Sequence, residues 1–555
     1  MGRVIERVVI DHGSAADRAG AQRARDGGRP IRRASITNLG CKVNQAEVDQ
    51  VARLLSARGV RLVADGAQVD LHVVNTCSVT SIADDKSRKA ARRARRSSPD
   101  GLLIVTGCSV AVSPAGYGAD DPRALLMDNA AKDRLVAEVD RLTAAPGRRP
   151  DRHRSWTGGR GRDAVARMPD AVAPGSSAVL AGPLPTLAGV AMEGTAADAP
   201  RVERTRAFIK VQDGCSFHCT YCIIPRARGA ERSVLPVAVL ADVRRALAAG
   251  HREIVLTGIN IGTYDGGWSE PGPRGTHRRS ALTLAGLVRR ILAETDVERI
   301  RLSSIEPQHV DDDLLDVWVT DGAGRCLPHF HLPLQSGDDG VLRRMGRRYD
   351  SAFYAGVVGR IRASVPGAAV HADVIVGFPT EDDAAWDRSL AFIGRLDLAG
   401  IHVFRYSERP ATPAMRMAGE VPEPTRRARA AVLLGLAAVA NHDFAVRAVG
   451  AERRVLFEQH DPAGGWTGHA EDHVLVRSMA ADAADGDSLA GLLARVGVVA
   501  IDTADPARVI GRVIEHIPPR PATLPGTRAR PGRPPRVGTA AGIASMSVPS
   551  SGGPA

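Results

Sequence analysis

A chain of 555 residues with 44% hydrophobic side chains has the length for two to four domains, each with a sizeable core. Seven cysteines, an odd and sparse set, exclude a secreted disulfide framework, and charges interrupt the N-terminus too often for a signal peptide. No window approaches the roughly 18 consecutive apolar residues of a membrane helix. The expectation is a soluble cytoplasmic protein with no membrane partner, whose reduced cysteines are free to bind metal. The net charge of +12 sits mostly in three segments: 517–555 with five Arg and no acid, 1–30 with six Arg against four acids, and 146–200 with seven Arg against five. Specific basic patches, rather than bulk charge, must argue for a nucleic-acid partner.

In chain order, residues 1–31 read as a flexible Gly/Arg-rich extension. Residues 32–145 alternate strand and helix. "ASITNLG", "DLHVVNT" and "GLLIVTG" read as strands, and "IADDKSRKAARRARRS" as a helix with Asp84 and Asp85 at its positive end. This alternation predicts an open parallel α/β domain. Residues 146–200 lack periodicity and read as a linker or insertion. From 201 to 439, six strands ("RAFIKVQDGC", "REIVLTGINIG", "RIRLSSIEP", "HFHLPLQSG", "HADVIVGFP", "GIHVFRYS") alternate mostly with helical stretches. They predict a full or partial βα barrel, in which the loops after the strands carry the chemistry. Residues 440–516 read as a small β-barrel of short strands, and 517–555 as a disordered tail.

The loop after the first barrel strand, "DGCSFHCTYCIIPRAR", places Cys215, Cys219 and Cys222 within eight residues. Three thiolates on a 4Fe–4S cluster leave one iron with an open position for a reactant. A zinc site completed by His218 or a distant ligand is the alternative. "CSFHCTYC" resembles the cluster loop of radical S-adenosylmethionine (SAM) enzymes, and the resemblance implies that SAM itself fills the open position. Tyr221, Gly258, Ser304, Glu306 and Gly377, in that loop or at predicted strand ends, are candidate SAM contacts; turn and packing roles are the alternative for the last four.

Cys41, Cys77 and Cys108 each stand just past a predicted strand of the N-terminal domain. In a parallel sheet those strand ends share one edge, so three separate cysteines can converge. "NLGCKVNQAE", "VNTCSVT", "VTGC", "HLPLQSGDDGVLRRMGRRY" and "DVIVGFPTE" together resemble the methylthiotransferase family. The resemblance spans residues 32–516, with the last part similar to a TRAM domain, a small RNA-binding barrel. It implies a second, auxiliary 4Fe–4S cluster on Cys41, Cys77 and Cys108 that carries sulfur. It also implies two SAM molecules per turnover, a reduced electron donor such as flavodoxin or ferredoxin, and a sulfur source. "GCKVNQ" and "HVFRYSERPATPA" are most similar to the bacterial type acting on N6-threonylcarbamoyladenosine (t6A) at position 37 of tRNA; the isopentenyladenosine type is the alternative. Arg405 departs from the family, which usually has proline there.

For tRNA, contact through the anticodon loop is expected. Lys86–Arg96 holds seven basic residues in eleven, with Lys86, Arg88, Lys89, Arg92 and Arg93 as candidate phosphate contacts. "RRMGRRYD" adds Arg343, Arg344, Arg347 and Arg348, with Tyr349 expected to stack on a base. A solvated basic face is the alternative reading of the first cluster.

Overall fold

The computed structural model describes residues 31–144, 155–156, 205–267, 282–479 and 488–520. The expected extension at 1–30, most of the 146–200 linker, and the tail from 521 lie outside them.

The N-terminal sheet is parallel throughout: β1 (Arg33–Asn38), β2 (Arg61–Leu62), β3 (Leu71–Thr76), β4 (Leu102–Gly107), β5 (Leu125–Met127) and β6 (Ser155–Trp156), ordered β2-β1-β3-β4-β5-β6. Its helices are α1 (Lys42–Ser56), α2 (Ser81–Ser97), α3 (Cys108–Val112), α4 (Pro114–Asp120) and α5 (Leu135–Ala144). β3 is buried along its whole length, and β4 nearly so, as strands covered on both faces must be. Thr80 caps α2 by accepting from the Ala83 N–H at 3.2 Å. β6 falls within the segment read as a linker or insertion; a two-residue edge strand leaves no periodicity to detect.

The second unit is a partial βα barrel. Its strands are β7 (Arg206–Lys210), β10 (Glu253–Thr257), β11 (Arg299–Leu302), β12 (His329–Gln335), β13 (Ala369–Val376) and β14 (Gly400–Arg405), with β8 (Gln212–Asp213) and β9 (Arg232–Ser233) forming a small antiparallel ribbon in the first loop. Parallel pairing gives two three-stranded sheets, β7-β10-β11 and β12-β13-β14, joined by a bridge at Ser304 and His331. The helices α6 (Ile224–Arg228), α7 (Pro236–Ala248), α8 (Leu284–Glu294), α9 (Asp312–Val319), α10 (Asp339–Arg344), α11 (Ser351–Ser364) and α12 (Asp383–Arg395) follow the strands. One apolar core joins strands and helices, with Leu256, Leu287, Ile300, Leu332 and Val357 wholly buried in it.

Helix α13 (Glu423–Val446) leads from the barrel to the last unit. By length and composition alone it could cross a membrane. Here Leu433, Ala430 and Ala437 enter the barrel core, and Arg429 is buried against Glu381 at 2.9 Å. The C-terminal unit is a closed barrel of β15 (Glu452–His460), β16 (Trp466–His469), β17 (Leu475–Ser478), β18 (Leu493–Ile501) and β19 (Arg508–Ile517), in the order β15-β16-β17-β19-β18. Buried ionic contacts fasten it to the β7-β10-β11 sheet. Glu253 on β10 receives Arg299 at 2.8 Å and Arg301 at 2.7 Å, and both guanidinium groups reach on to barrel carbonyls of Arg454, His469 and Ala470.

Candidate active site between two cysteine triads

Cys41, Cys77 and Cys108 follow β1, β3 and β4, three adjacent strands whose C-terminal ends are in register at Asn38/Asn75 and Thr76/Gly107. Parallel register therefore brings together residues 36 and 31 positions apart. Gly107 makes the last turn possible. Its φ is +105°, and a Cβ there would lie 2.4 Å from the Thr76 carbonyl, so a side chain at 107 would push β4 off β3 just before Cys108. Asn44 fixes Cys41 from the other side: its Nδ2 donates to the Thr76 carbonyl at 3.0 Å, and its carbonyl accepts from Asn75 at 3.1 Å. Cys41 is exposed at its surface, Cys77 half-buried and Cys108 buried. Burial carries the Cys77 thiol to about 12, and a charge on the neighbouring Cys41 or Cys108 would add to that penalty.

The second triad lies on a loop tied down at many points. Cys215 donates its N–H to the Gly229 carbonyl at 3.0 Å, Cys222 to Cys219 at 3.0 Å, and Thr220 to Met345 at 3.0 Å. Gly214, at φ +71°, allows the turn into the loop; a Cβ would lie 2.0 Å from the Ala230 carbonyl oxygen. The Phe217 N–H points at the Cys215 sulfur at 3.3 Å, and Arg347 Nη1 at the Cys219 sulfur at 3.3 Å. Burial raises the Cys215 thiol and takes Cys222 to about 12.

A cavity of about 180 Å³ is bounded by the segment that follows Cys77 and by the end of the cysteine loop. Val79 and Thr80, just past Cys77, form one wall; Tyr221 and Cys222 form another; Asp373, Phe404 and Tyr406 line the rest. Arg405, the family departure, also lines it and pairs with Glu423. Tyr221 stands edge-on to Phe378, 6.4 Å between centroids, with Arg347 at its hydroxyl.

The other expected contacts divide. Ser304 Oγ is 3.0 Å from His331 Nδ1, and Glu306 pairs with Arg347. Burial raises the Glu306 carboxyl although Arg347 opposes it. Gly258 and Gly377 are packing positions on their Cβ sides: a Cβ at Gly258 would meet Ile261 and Gln212, and one at Gly377 would meet Arg426 at 2.3 Å. On α2, Lys86, Lys89, Arg92 and Arg93 are exposed and Arg88 is half-buried, while Ser87, Ala90, Ala91 and Ala94 form the buried face. Arg343, Arg344 and Arg348 are exposed, Arg348 lying over the Phe217 ring at 4.1 Å. Two expectations fail. Arg347 is not an RNA contact but a buried side chain facing the Cys219 sulfur, and Tyr349 cannot stack on a base because it is buried with its hydroxyl on the Leu334 carbonyl at 3.0 Å.

The sequence reading missed a network on the inner face of the barrel. His331 Nε2 and His402 Nδ1 both reach Asp373 Oδ1, at 2.8 and 3.1 Å. Burial works to raise the Asp373 carboxyl, and the two histidines outweigh it, holding it well below the usual range. Among the described residues this is the one set of three metal-ligand-type side chains whose donor atoms all fall within 4.8 Å; neither cysteine triad closes that far. Two triads of soft sulfur donors, spread wider than a single ion requires and lacking a fourth cysteine, fit iron–sulfur clusters.

Two family models match the chain: "Uncharacterized protein family UPF0004" over residues 33–127 and "Radical SAM superfamily" over 209–393. A threonylcarbamoyladenosine tRNA methylthiotransferase of Bacillus subtilis is 34% identical over 399 residues, covering 72% of this chain and 78% of its own length. One of the same name from Thermotoga maritima is 31% identical, covering 79% and 89%. A tRNA-2-methylthio-N(6)-dimethylallyladenosine synthase of Maricaulis maris is 30% identical, covering 85% and 95%. With strand-end cysteines in one matched region and the CxxxCxxC loop in the other, the chain belongs to the radical SAM methylthiotransferase family.

Proposed function

We propose that this protein transfers a methylthio group to C2 of N6-threonylcarbamoyladenosine at position 37 of tRNA. The observation that carries the reading is the shared cavity: Thr80, three residues past Cys77, and Cys222 of the loop line the same space. Cys215, Cys219 and Cys222 would hold the 4Fe–4S cluster that binds SAM, and Cys41, Cys77 and Cys108 the auxiliary cluster. With SAM and both clusters bound, the site gains one-electron chemistry able to break a C–H bond that acid or base cannot, and a sulfur to place there.

The chain's own groups supply the rest. With their pKa values near 12, Cys77 and Cys222 keep their protons without metal, so cluster loading must release them. Arg347 donates toward the Cys219 sulfur and holds Glu306 and the Tyr221 hydroxyl beside it. Tyr221, Phe404 and Tyr406 give the cavity aromatic walls that suit an unstacked purine. A reduced electron donor such as flavodoxin or ferredoxin and a sulfur source complete the partners.

The deciding experiment separates the triads. Reduced Cys77→Ala protein should cleave SAM and form no methylthio product, and Cys219→Ala should lose both activities. Wild-type product formation by Cys77→Ala would overturn the role of the N-terminal triad. Nucleoside mass spectrometry of the tRNA product separates t6A from the isopentenyladenosine substrate named by the Maricaulis relative.

A further inference from the structure

Arg228, at the end of α6, has a side chain with no solvent exposure. Its Nη1 lies 2.9 Å from both Glu47 Oε1 and Asp213 Oδ1; its Nη2 meets Asn44 Oδ1 at 2.5 Å and Glu47 Oε2 at 3.3 Å. One arginine thus clasps α1 of the N-terminal unit to the cysteine loop of the barrel. Its Nε–H is different: it is buried and has no acceptor among the described residues. Orphaned buried donors are rare in folded proteins and call for an explanation.

The N-terminal triad supplies one. Asn44, which Arg228 grips, is three residues past Cys41 on the same helix. Asn129 Nδ2 donates to the carbonyl of Ala227 at 2.8 Å and lies 3.6 Å from the Cys108 sulfur, so Cys108 and the residue before Arg228 share one clamp. The loop cysteines have a different cation beside them, Arg347.

Resting on the function proposed above, we infer that Arg228 is a positioning residue for the auxiliary cluster, lending its free Nε–H and its buried charge to the Cys41/Cys108 side and raising that cluster's reduction potential. One-electron reduction adds negative charge to a group buried among thiolates. A nearby cation and hydrogen bonds to sulfur favour the reduced form, and low polarity magnifies both effects. Removing Arg228 does not strand its carboxylates. Glu47 keeps Lys132 at 2.5 Å and Lys210 at 3.2 Å, and Asp213 keeps Arg232 at 3.2 Å.

The test is a dithionite titration followed by electron paramagnetic resonance on the full-length, iron- and sulfide-reconstituted chain. A Cys219→Ala background leaves the N-terminal triad as the one complete set of thiolates. Arg228→Met should lower the reduced-to-oxidised ratio at a fixed potential tenfold or more, equivalent to about 59 mV for one electron. Arg228→Lys, which keeps the charge, should move it less than half as far. In a chain with Cys219 intact and Cys77→Ala, Arg228→Met should leave the loop cluster's potential in place. A ratio within twofold of the parent for Arg228→Met overturns the inference. Should Arg228→Met hold no cluster, four irons retained by Arg228→Lys support it, and loss in both variants overturns it in favour of a domain-packing role. If the Cys219→Ala parent itself binds no iron, the auxiliary cluster has failed first, which is a different result.

Discussion

Arg347 and its neighbours in "RRMGRRYD" have different tasks despite their similar letters. Arg343 and Arg344 end α10 in solvent, whereas Arg347 turns inward to Cys219, Glu306 and Tyr349. Charge reversal at Arg343 and Arg344 is therefore expected to weaken tRNA binding and leave SAM cleavage unchanged. Arg347→Met is expected to do the opposite. A hydrogen bond to a charged group is worth about 1.5–3 kcal/mol, so SAM cleavage should fall roughly tenfold or more while tRNA affinity stays. Filter binding and a 5′-deoxyadenosine assay on the same preparations check both halves. The run of basic residues was legible; which of them faces inward was not, because that depends on a chain reversal at Gly346 (φ +72°) and a partner 41 residues away. The His331–Asp373–His402 network was illegible for a related reason. Its members lie on three neighbouring strands, at positions 42 and 29 residues apart that no local spacing marks.

At the scale of elements, α2 shows how a charged run is divided by its packing. The alanine face buries against β3 and β4, and Arg95 belongs to the fold: it pairs with Asp121 and donates to the Gly101 carbonyl at 2.7 Å. Lys86, Lys89, Arg92, Arg93 and Arg96 remain exposed. Reversing Arg92, Arg93 and Arg96 is expected to weaken tRNA binding and flatten its salt dependence, with the slope falling by nearly one for each phosphate no longer neutralised. Arg95→Glu should instead lower the melting temperature. Unchanged affinity and slope in the triple variant would leave α2 as a solvated face. Most strands were readable because a parallel sheet buried on both faces needs continuous apolar runs. β2, β5, β6 and β16 were not readable: two to four residues do not establish a period, and tertiary pairing alone makes them strands.

Across the whole molecule, four histidines from two units meet where the C-terminal barrel docks. His329 and His371 come from the catalytic strands and His469 and His473 from the barrel, with ring centroids 4.4 Å apart for His329/His473 and 5.6 Å for His371/His473. Burial lowers all four pKa values, His371 to about 3, with Arg301 adding to it at each; neighbouring histidines add to it at His329, His371 and His473, while Glu458 opposes it at His469. Unfolded histidines take up a proton near pH 6.5, and these do so in the folded state only at lower pH. Their contribution is therefore fully present above pH 6.5 and lost as the pH falls toward 3. For His371 the loss is on the order of 1 kcal/mol at pH 5.5. Melting temperature measured from pH 7.5 to 5.5 should fall, and His371→Asn should flatten the slope if the variant folds. Intact protein reconstituted anaerobically should hold about eight irons and eight sulfides; four would remove the auxiliary cluster.

The Glu253–Arg299–Arg301 fastening has a consequence for how this enzyme finds its base. Because both arginines grip barrel carbonyls from the floor of the β7-β10-β11 sheet, the barrel does not swing on a tether; its stand-off from the cavity is built in. A molecule with a fixed stand-off works as a gauge. If the barrel holds the tRNA, as the proposed function expects, a substrate with its stem lengthened or shortened by a base pair is expected to present the wrong residue to the cavity and to lose methylthiolation.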